Sequence, residues 1–170
     1  LRARPAVLVP FVTRPNEPIL DRKSLGLAHE NSAENGVYCL SGEDVEDPDA
    51  VLVLQGSGVT LVFVNEVLPK LKLEGINLRV MYVASPELFD RLPQEKKSCI
   101  YNEEMARKAM GITGFTLPTM YRWIQSDLGR NHTMHPFQKG HYLGSGPGDD
   151  VIREAGLDGP GQYDGIKGFL

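Results

Sequence analysis

The chain has 170 residues, 41% hydrophobic and 24% charged, with 22 acidic against 18 basic residues and a net charge of −4. That is the make-up of an ordinary globular protein of one domain, or one domain plus a piece of another, long enough to bury about two-thirds of its unfolded surface without staples. The charge balance and the lack of a basic stripe argue against a nucleic-acid partner, and no apolar run approaches the ~18–20 residues that cross a membrane. Cys39 and Cys99 are isolated, with no CxxC pairing, so reduced thiols are expected and, with no signal-peptide pattern, a cytoplasmic location.

The chain opens without Met on LRARPAVLVPFV, which reads as a segment of a longer polypeptide. AVLVPFVT (6–13) predicts a buried strand ending at Arg14-Pro15, and the polar, turn-rich residues 15–35 predict a surface linker. GVYCL (36–40) predicts a short strand, here an antiparallel edge. The run SGEDVEDPDA holds five acids between Glu43 and Asp49 and reads as a solvated connection. VLVLQ (51–55) is the next strand. Residues 60–75 follow with helical spacing through Leu61, Val64, Val67, Leu68 and Leu71, bent or ended by Pro69. INLRVMYVA (76–84) is a strand, and Ser85-Pro86 predicts a helix with Ser85 as N-cap and Pro86 at its first position.

A short helix and a polar turn are expected around QEKKSCIYNEEMARK, then a strand at KAMGITGF (108–115). Thr116 caps a predicted helix, TLPTMYRWIQSDLG, ending at Gly129. Residues 131–144 predict a further strand or extended segment. GSGPGDD then turns into the helix DDVIREAGL, closed by Gly156, and DGPGQYDGIKGFL reads as a glycine-rich tail. Strands alternating with helices of 10–15 residues predict βαβ units, a largely parallel sheet and right-handed crossovers.

Each chemical candidate has a plainer reading beside it. LQGSGVTLVFV is strand, glycine turn and helix, but only Gly56 and Gly58 stand in the dinucleotide pattern; Leu61 takes the third place, and Ala84 and Ser85 stand where a ribose-holding acid belongs. It reads as a tight turn. GSGPGDD carries no Lys-Ser or Lys-Thr, and Asp149 and Asp150 would repel a phosphate while favouring a helix start. His132, His135 and His141 lie near one another without a partner Cys or Glu cluster, so they read as structural or surface groups, with contact to a substrate or a neighbouring domain left open. Met105, Met110, Met120, Tyr121 and Trp123 read as packing. Ser57, Ser85 and Ser145 lack a nucleophile elbow. The residues alone thus show an α/β domain without a visible catalytic centre.

Five stretches in order resemble the C-terminal part of transketolases and related thiamine-diphosphate enzymes. PAVLVPFVTRPNEP (5–18) is similar to a strand that ends in Ser/Thr-Arg-Gln-Asn-x-Pro, and GVYCL to the Gly-Gly-Tyr-Val-Leu that follows. DAVLVLQGSGVTLVFVNEVLPKLKLEGINLRVMYVASPELFDR resembles a strand, Gly-Ser turn, helix and strand ending in Ser-x-x-Leu-Phe. YNEEMARKAMGITGFTLPTMYRWI resembles the next strand with its helix. HYLGSGPGDDVIREAGLD is similar to Phe-Gly-x-Ser-x-Pro-x-x-x-Leu-x-x-x-x-Gly-Leu.

The resemblance implies an α/β, three-layer fold with a mixed, mostly parallel sheet of about five strands and helices on both faces. It implies that 1–20 end a pyrimidine-binding domain, 21–50 link, and 51–170 form the C-terminal domain. Thiamine diphosphate and Mg would sit in the parent enzyme, with no cofactor, metal ligand or catalytic residue in this piece, which alone would be inactive. The parent would transfer a two-carbon ketol unit between sugar phosphates, the cofactor acting as electron sink. The partners implied are a second copy in a homodimer, or the N-terminal subunit or domains of the same enzyme.

One residue carries over: Arg14, in T-R-P-N-E-P, stands where the family's Arg holds the substrate phosphate. A guanidinium suits that role, and a strand-end salt bridge is the alternative. Pro15 replaces the family's Gln. The stretch MHPFQKGHYLG, with Lys139-Gly140-His141, departs from the family's Ile-Gly-Ile-Asp-x-Phe-Gly and suggests a divergent subgroup. A 2-oxoacid dehydrogenase decarboxylase component and a non-catalytic small-ligand or regulatory α/β module are the alternative readings.

Overall fold

Strand β2 (Ala50–Gln55) is apolar from Ala50 to Leu54 because both faces of its sheet are covered. Leu52 and Leu54 point into one core, Val51 and Val53 into another. The computed structural model describes residues 7, 9, 10 and 16–170. The strand expected over 6–13 falls largely outside them, and Arg14 falls outside them.

Among the described residues the sheet has four strands in the order β1-β3-β2-β4, with β1 at Val37–Ser41, β3 at Leu78–Val83 and β4 at Ala109–Thr113. β2 runs parallel to β3 and to β4. β1 is antiparallel to β3, with Tyr38 opposite Tyr82 and a register shift between Cys39 and Ser41. The antiparallel edge strand is as expected, although it pairs with β3 rather than with its sequence neighbour. Because β3 and β4 lie on opposite sides of β2, right-handed crossovers send the intervening helices to opposite faces. One face holds α1 (Ser57–Val62) and α2 (Leu68–Leu73), joined by a π-helical turn (Phe63–Val67). The other holds α3 (Pro86–Asp90), α4 (Gln94–Ile100) and α5 (Glu103–Arg107).

Pro69 neither ends nor simply bends the first crossover helix. A proline there cannot donate to the carbonyl four residues back, and its ring crowds that carbonyl. The chain widens by one residue just before it: Leu68 N–H donates to Phe63 O, five residues back. The wider turn keeps Phe63, Val64, Val67, Leu68 and Leu71 all in the core.

Three expectations are corrected downstream of β4. The single helix expected from Thr116 to Gly129 is a 3-10 turn (Leu117–Met120), an irregular stretch, and α6 (Asp127–His132). Trp123 and Ile124 enter the core beside Met120, and Gln125 N–H donates to Ala106 O instead of up its own helix. Ser126 then starts α6 afresh, its hydroxyl accepting from Gly129 N–H. Second, the strand expected within 131–144 shrinks to one bridge, Ile112 with Met134. Pro136, without an N–H, stops the ladder. Among the described residues the sheet is therefore four strands and a bridge, close to the about five expected. Third, the glycine-rich tail is a helix, α8 (Gly159–Phe169), N-capped by Asp158. It packs on the first crossover face with Ile166 buried, near α7 (Gly148–Glu154). Among the described residues no helix is long and apolar enough to cross a membrane.

Candidate functional site

Open α/β sheets bind ligands beyond the carboxyl ends of their strands, where neighbouring loops diverge to opposite faces. Here that point lies between β2 and β4, and the chain's own side chains fill it. Gln55 and Thr113 are paired at the strand ends. Gln55 Oε1 accepts from Thr113 Oγ1 at 3.2 Å and from Thr119 Oγ1 at 2.7 Å, while Thr113 Oγ1 accepts from Phe115 N–H at 3.0 Å. Gly56 has φ +105°, and a Cβ there would lie 3.4 Å from Gly114 N and 3.6 Å from the Phe115 ring. Thr60 Oγ1 donates back to Gly56 O at 2.7 Å. The GSG stretch is thus a tight turn with a polar network beside it. Gln55, Thr113 and Thr119 were not singled out by sequence; polar residues ending an apolar strand were the available signal.

GSGPGDD is likewise a helix entrance. Gly148 begins α7, with Asp149 and Asp150 in its first turn, and Asp150 pairs with Arg153 at 3.1 Å. At its far end Gly156, φ +69°, closes the helix: Gly156 N–H donates to Arg153 O and Leu157 N–H to Ile152 O. The 135–144 segment has a structural role at the same helix end. Gln138 Nε2 donates to Ala155 O at 2.9 Å and Lys139 Nζ to Glu154 O at 2.6 Å. The Glu154 carboxylate accepts from Gly144 N–H at 3.1 Å. Gln138 and Lys139 thus hold the last carbonyls of α7.

The three histidines are separate groups. The His132 ring packs 5.8 Å from Phe169, His135 Nδ1 accepts from Phe137 N–H, and His141 is exposed with Nδ1 2.9 Å from Tyr142 O. Burial alone pulls the His135 pKa below its ordinary value. Among the described residues no three His, Cys, Asp or Glu side chains gather to hold a metal ion. Met110, Met120 and Trp123 are buried, Met105 packs beside them and Tyr121 is exposed. Ser57 and Ser145 are exposed; Ser85 caps α3 by accepting from Leu88 N–H.

Two other charged features tie elements together. Asp90 accepts both guanidinium forks of Arg122, and that hydrogen-bonded charge holds its carboxyl below the usual range. Glu74 accepts from Tyr163 at 2.6 Å and Lys167 at 3.2 Å, which lowers its pKa in turn.

A mostly apolar cavity at the sheet's carboxyl edge holds about 210 Å³. Glu17 and Arg22 from the segment before β1, Tyr38, Ser57 and Tyr82 line it. Glu17 and Arg22 lie in the stretch expected as linker, Tyr38 and Tyr82 in expected strands, and Ser57 in the glycine turn. The one signal was a charged pair, Glu17 and Arg22, bracketing the apolar Pro-Ile-Leu.

No family profile matches the chain. Among the described residues a mostly parallel sheet with helices on both faces makes an α/β domain, and solved transketolases share that fold. A transketolase variant from Pichia stipitis superposes with a TM-score of 0.69 over 92% of this chain and 20% of its own, at 16% identity. The transketolases of Leishmania mexicana and Campylobacter jejuni give 0.59 and 0.58, at 16% and 18% identity, over 82% and 80% of this chain and 18% and 19% of theirs. In sequence the chain is similar to transketolase of Bacillus subtilis, 27% identical over 169 residues. That match covers 98% of this chain and 23% of the relative, so the chain spans under a quarter of the curated relative's length. By sequence and fold together the chain is transketolase-like, consistent with a C-terminal domain.

Proposed function

We propose that the chain is the C-terminal domain of a transketolase-type enzyme that moves a two-carbon ketol unit between sugar phosphates. Residues 1–20 are the end of the preceding pyrimidine-binding domain and 21–50 its connection to the rest. The domain carries out no chemical step; it supports the subunit contact of a cytoplasmic dimer and the architecture around the active site. The observation that carries this reading is the similarity to transketolase over 98% of the chain, joined to the same fold.

Thiamine diphosphate and Mg belong to the other domains of the parent. Bound there, the cofactor supplies an electron sink for the carbon whose C–C bond is cleaved. The contribution of this chain to substrate is Arg14. A guanidinium presents a forked set of donors to a phosphate, and its charge is fixed at every working pH.

The test is activity of the full-length enzyme. Consumption of xylulose 5-phosphate with an aldose phosphate acceptor is expected, and turnover of pyruvate with an acyl acceptor instead would replace this reading with a 2-oxoacid dehydrogenase component. In calorimetry, residues 1–170 should take up no thiamine diphosphate with Mg; measurable magnesium-dependent binding would overturn the placing of the active site in the other domains.

A further inference from the structure

The chain has one Asn-Gly step, Asn35-Gly36. Asparagine is thermolabile, and a following glycine favours loss of its side-chain amide, because no Cβ shields the next backbone nitrogen. In this fold the step is a seam. Asn35 ends a 3-10 helix (Glu30–Asn35), and Gly36, φ +78°, turns the chain into β1. Gly36 N–H donates to Ala33 O at 2.9 Å, while Gly36 O accepts from Ala84 N–H at 2.8 Å and Ser85 N–H at 2.9 Å. Asn35 is half-buried and Gly36 buried. A Cβ on Gly36 would run into Ser85 O and Phe89 N, so the backbone at the start of α3 lies directly against it.

We infer that Asn35 is a deamidation site that the fold keeps closed, and that its conversion records the opening of this seam. In the reaction the Gly36 amide nitrogen, its proton taken by hydroxide, attacks Asn35 Cγ. A C–N bond forms, the bond from Cγ to the side-chain nitrogen breaks, and that nitrogen leaves as ammonia. Water then opens the five-membered imide at either carbonyl. One opening gives aspartate; the other gives isoaspartate, in which the chain runs through the former side chain. Nothing is oxidised or reduced. In the folded chain the attacking nitrogen keeps its proton on Ala33 O, and ring closure needs Asn35 to leave its 3-10 conformation. The three backbone bonds of Gly36, at ordinary net strength, multiply to roughly a hundredfold slowing. Isoaspartate also adds an atom to the backbone beside a residue held on both sides. A chain that carries it cannot remake the bonds of Gly36 to Ala33, Ala84 and Ser85 together.

The test holds the full-length enzyme at pH 8 in native buffer and, in parallel, in guanidinium chloride that unfolds it. Peptide mapping by mass spectrometry follows Asn35, with fragment spectra separating it from Asn31. Conversion to aspartate and isoaspartate is expected in denaturant, and roughly a hundredfold more slowly in buffer. A native rate within about tenfold of the denatured one would overturn the closed site, since little more than one backbone bond would then be guarding it. Absence of conversion at Asn35 in denaturant would overturn the site itself. Refolding the aged, denatured pool tests the bar to return. Chains with aspartate at position 35 should enter the native fraction on size exclusion, and chains with isoaspartate should be lost from it. Isoaspartate at the same share in the native fraction as in the pool would show that the seam tolerates the longer backbone, and would overturn that part of the inference. Local opening sets the native rate, so hydrogen exchange at the Gly36 amide should be slowed by a factor close to that for deamidation. Fast exchange beside slow deamidation would mean that these bonds are not what closes the site.

Discussion

Cys39 and Cys99 differ in surroundings rather than in chemistry. Cys39 is on β1, half-buried, and its thiol is pushed up to about 11, first by burial and then by the nearby Glu43 carboxylate. Its S–H donates to Ser41 O at 3.3 Å, a bond the thiolate would lose. Cys99 is exposed on α4. At pH 8 only about one Cys39 in a thousand is thiolate, and thiolate is the reacting form. Iodoacetamide on the folded chain at pH 8 is therefore expected to label Cys99 and spare Cys39, with intact-mass spectra showing one adduct and peptide mapping placing it. Two adducts formed at similar rates under native conditions would contradict the burial of Cys39. The sequence showed two isolated thiols, but which one is shielded depends on the turn at Gly42–Asp44 folding beside β1. Arg22 with Tyr38 is a like case: the two stand 16 residues apart, and only the return of the chain onto β1 makes them partners.

At the scale of the elements, what could be read locally was read well. Ser85-Pro86 states its helix start through a side-chain cap and a fixed φ, and Gly156 its helix end through a left-handed residue. The missed elements are those whose cause lies elsewhere in the chain. α8 contains Gly159, Gly161, Gly165 and Gly168, a poor helix by propensity. Two of those glycines are where other elements approach α8 closely: Cβ atoms at Gly159 and Gly165 would collide with Glu66 and with Met134. Tertiary contact overrides the local preference. Gly129 shows the same conflict. It reads as a helix terminator, yet it lies inside α6 and buried, where α6 crosses β4, and a Cβ there would run into the backbone carbonyl of Ala109. The carbonyl belongs to β4, whose backbone is held by its pairing with β2, and it cannot yield. Gly129→Ala, which favours an isolated helix by about 1 kcal/mol, should instead destabilise the domain by roughly 2 kcal/mol or more through overpacking. Urea unfolding read by Trp123 fluorescence measures it. A neutral or stabilised variant would mean that α6 stands off β4.

Across the whole molecule, the question is whether residues 148–170 belong to the same cooperative unit as the sheet. The strongest tie is Gln162, fully buried in α8. Its Nε2 donates to Val59 O at 3.0 Å, 103 residues away in α1, and to Leu157 O at 2.8 Å. Its Oε1 is buried with no partner among the described residues. Both amide hydrogens are therefore spent holding α8 and the turn before it against the first crossover helix, in the core that also contains Leu157 and Ile166. Gln162→Glu changes almost no volume and removes those donors. The new carboxylate would face two carbonyl oxygens without water, so its folded pKa must rise well above the ordinary ~4.3. The sign follows from linkage: above the raised value the folded state carries a buried charge the unfolded state does not pay for, and below ~4.3 both states are protonated. The variant should lose on the order of 3 kcal/mol at pH 7.5 and regain much of it as the pH falls toward 5, where the protonated acid can donate to one carbonyl. Urea midpoints of variant and parent chain at the two pH values give the difference directly. A single transition that shifts with pH makes α8 part of one unit with the sheet. A pH-independent shift, or a separate early transition carrying only the helical signal, would show that α8 docks as an appendage and that the buried amide is not what holds it.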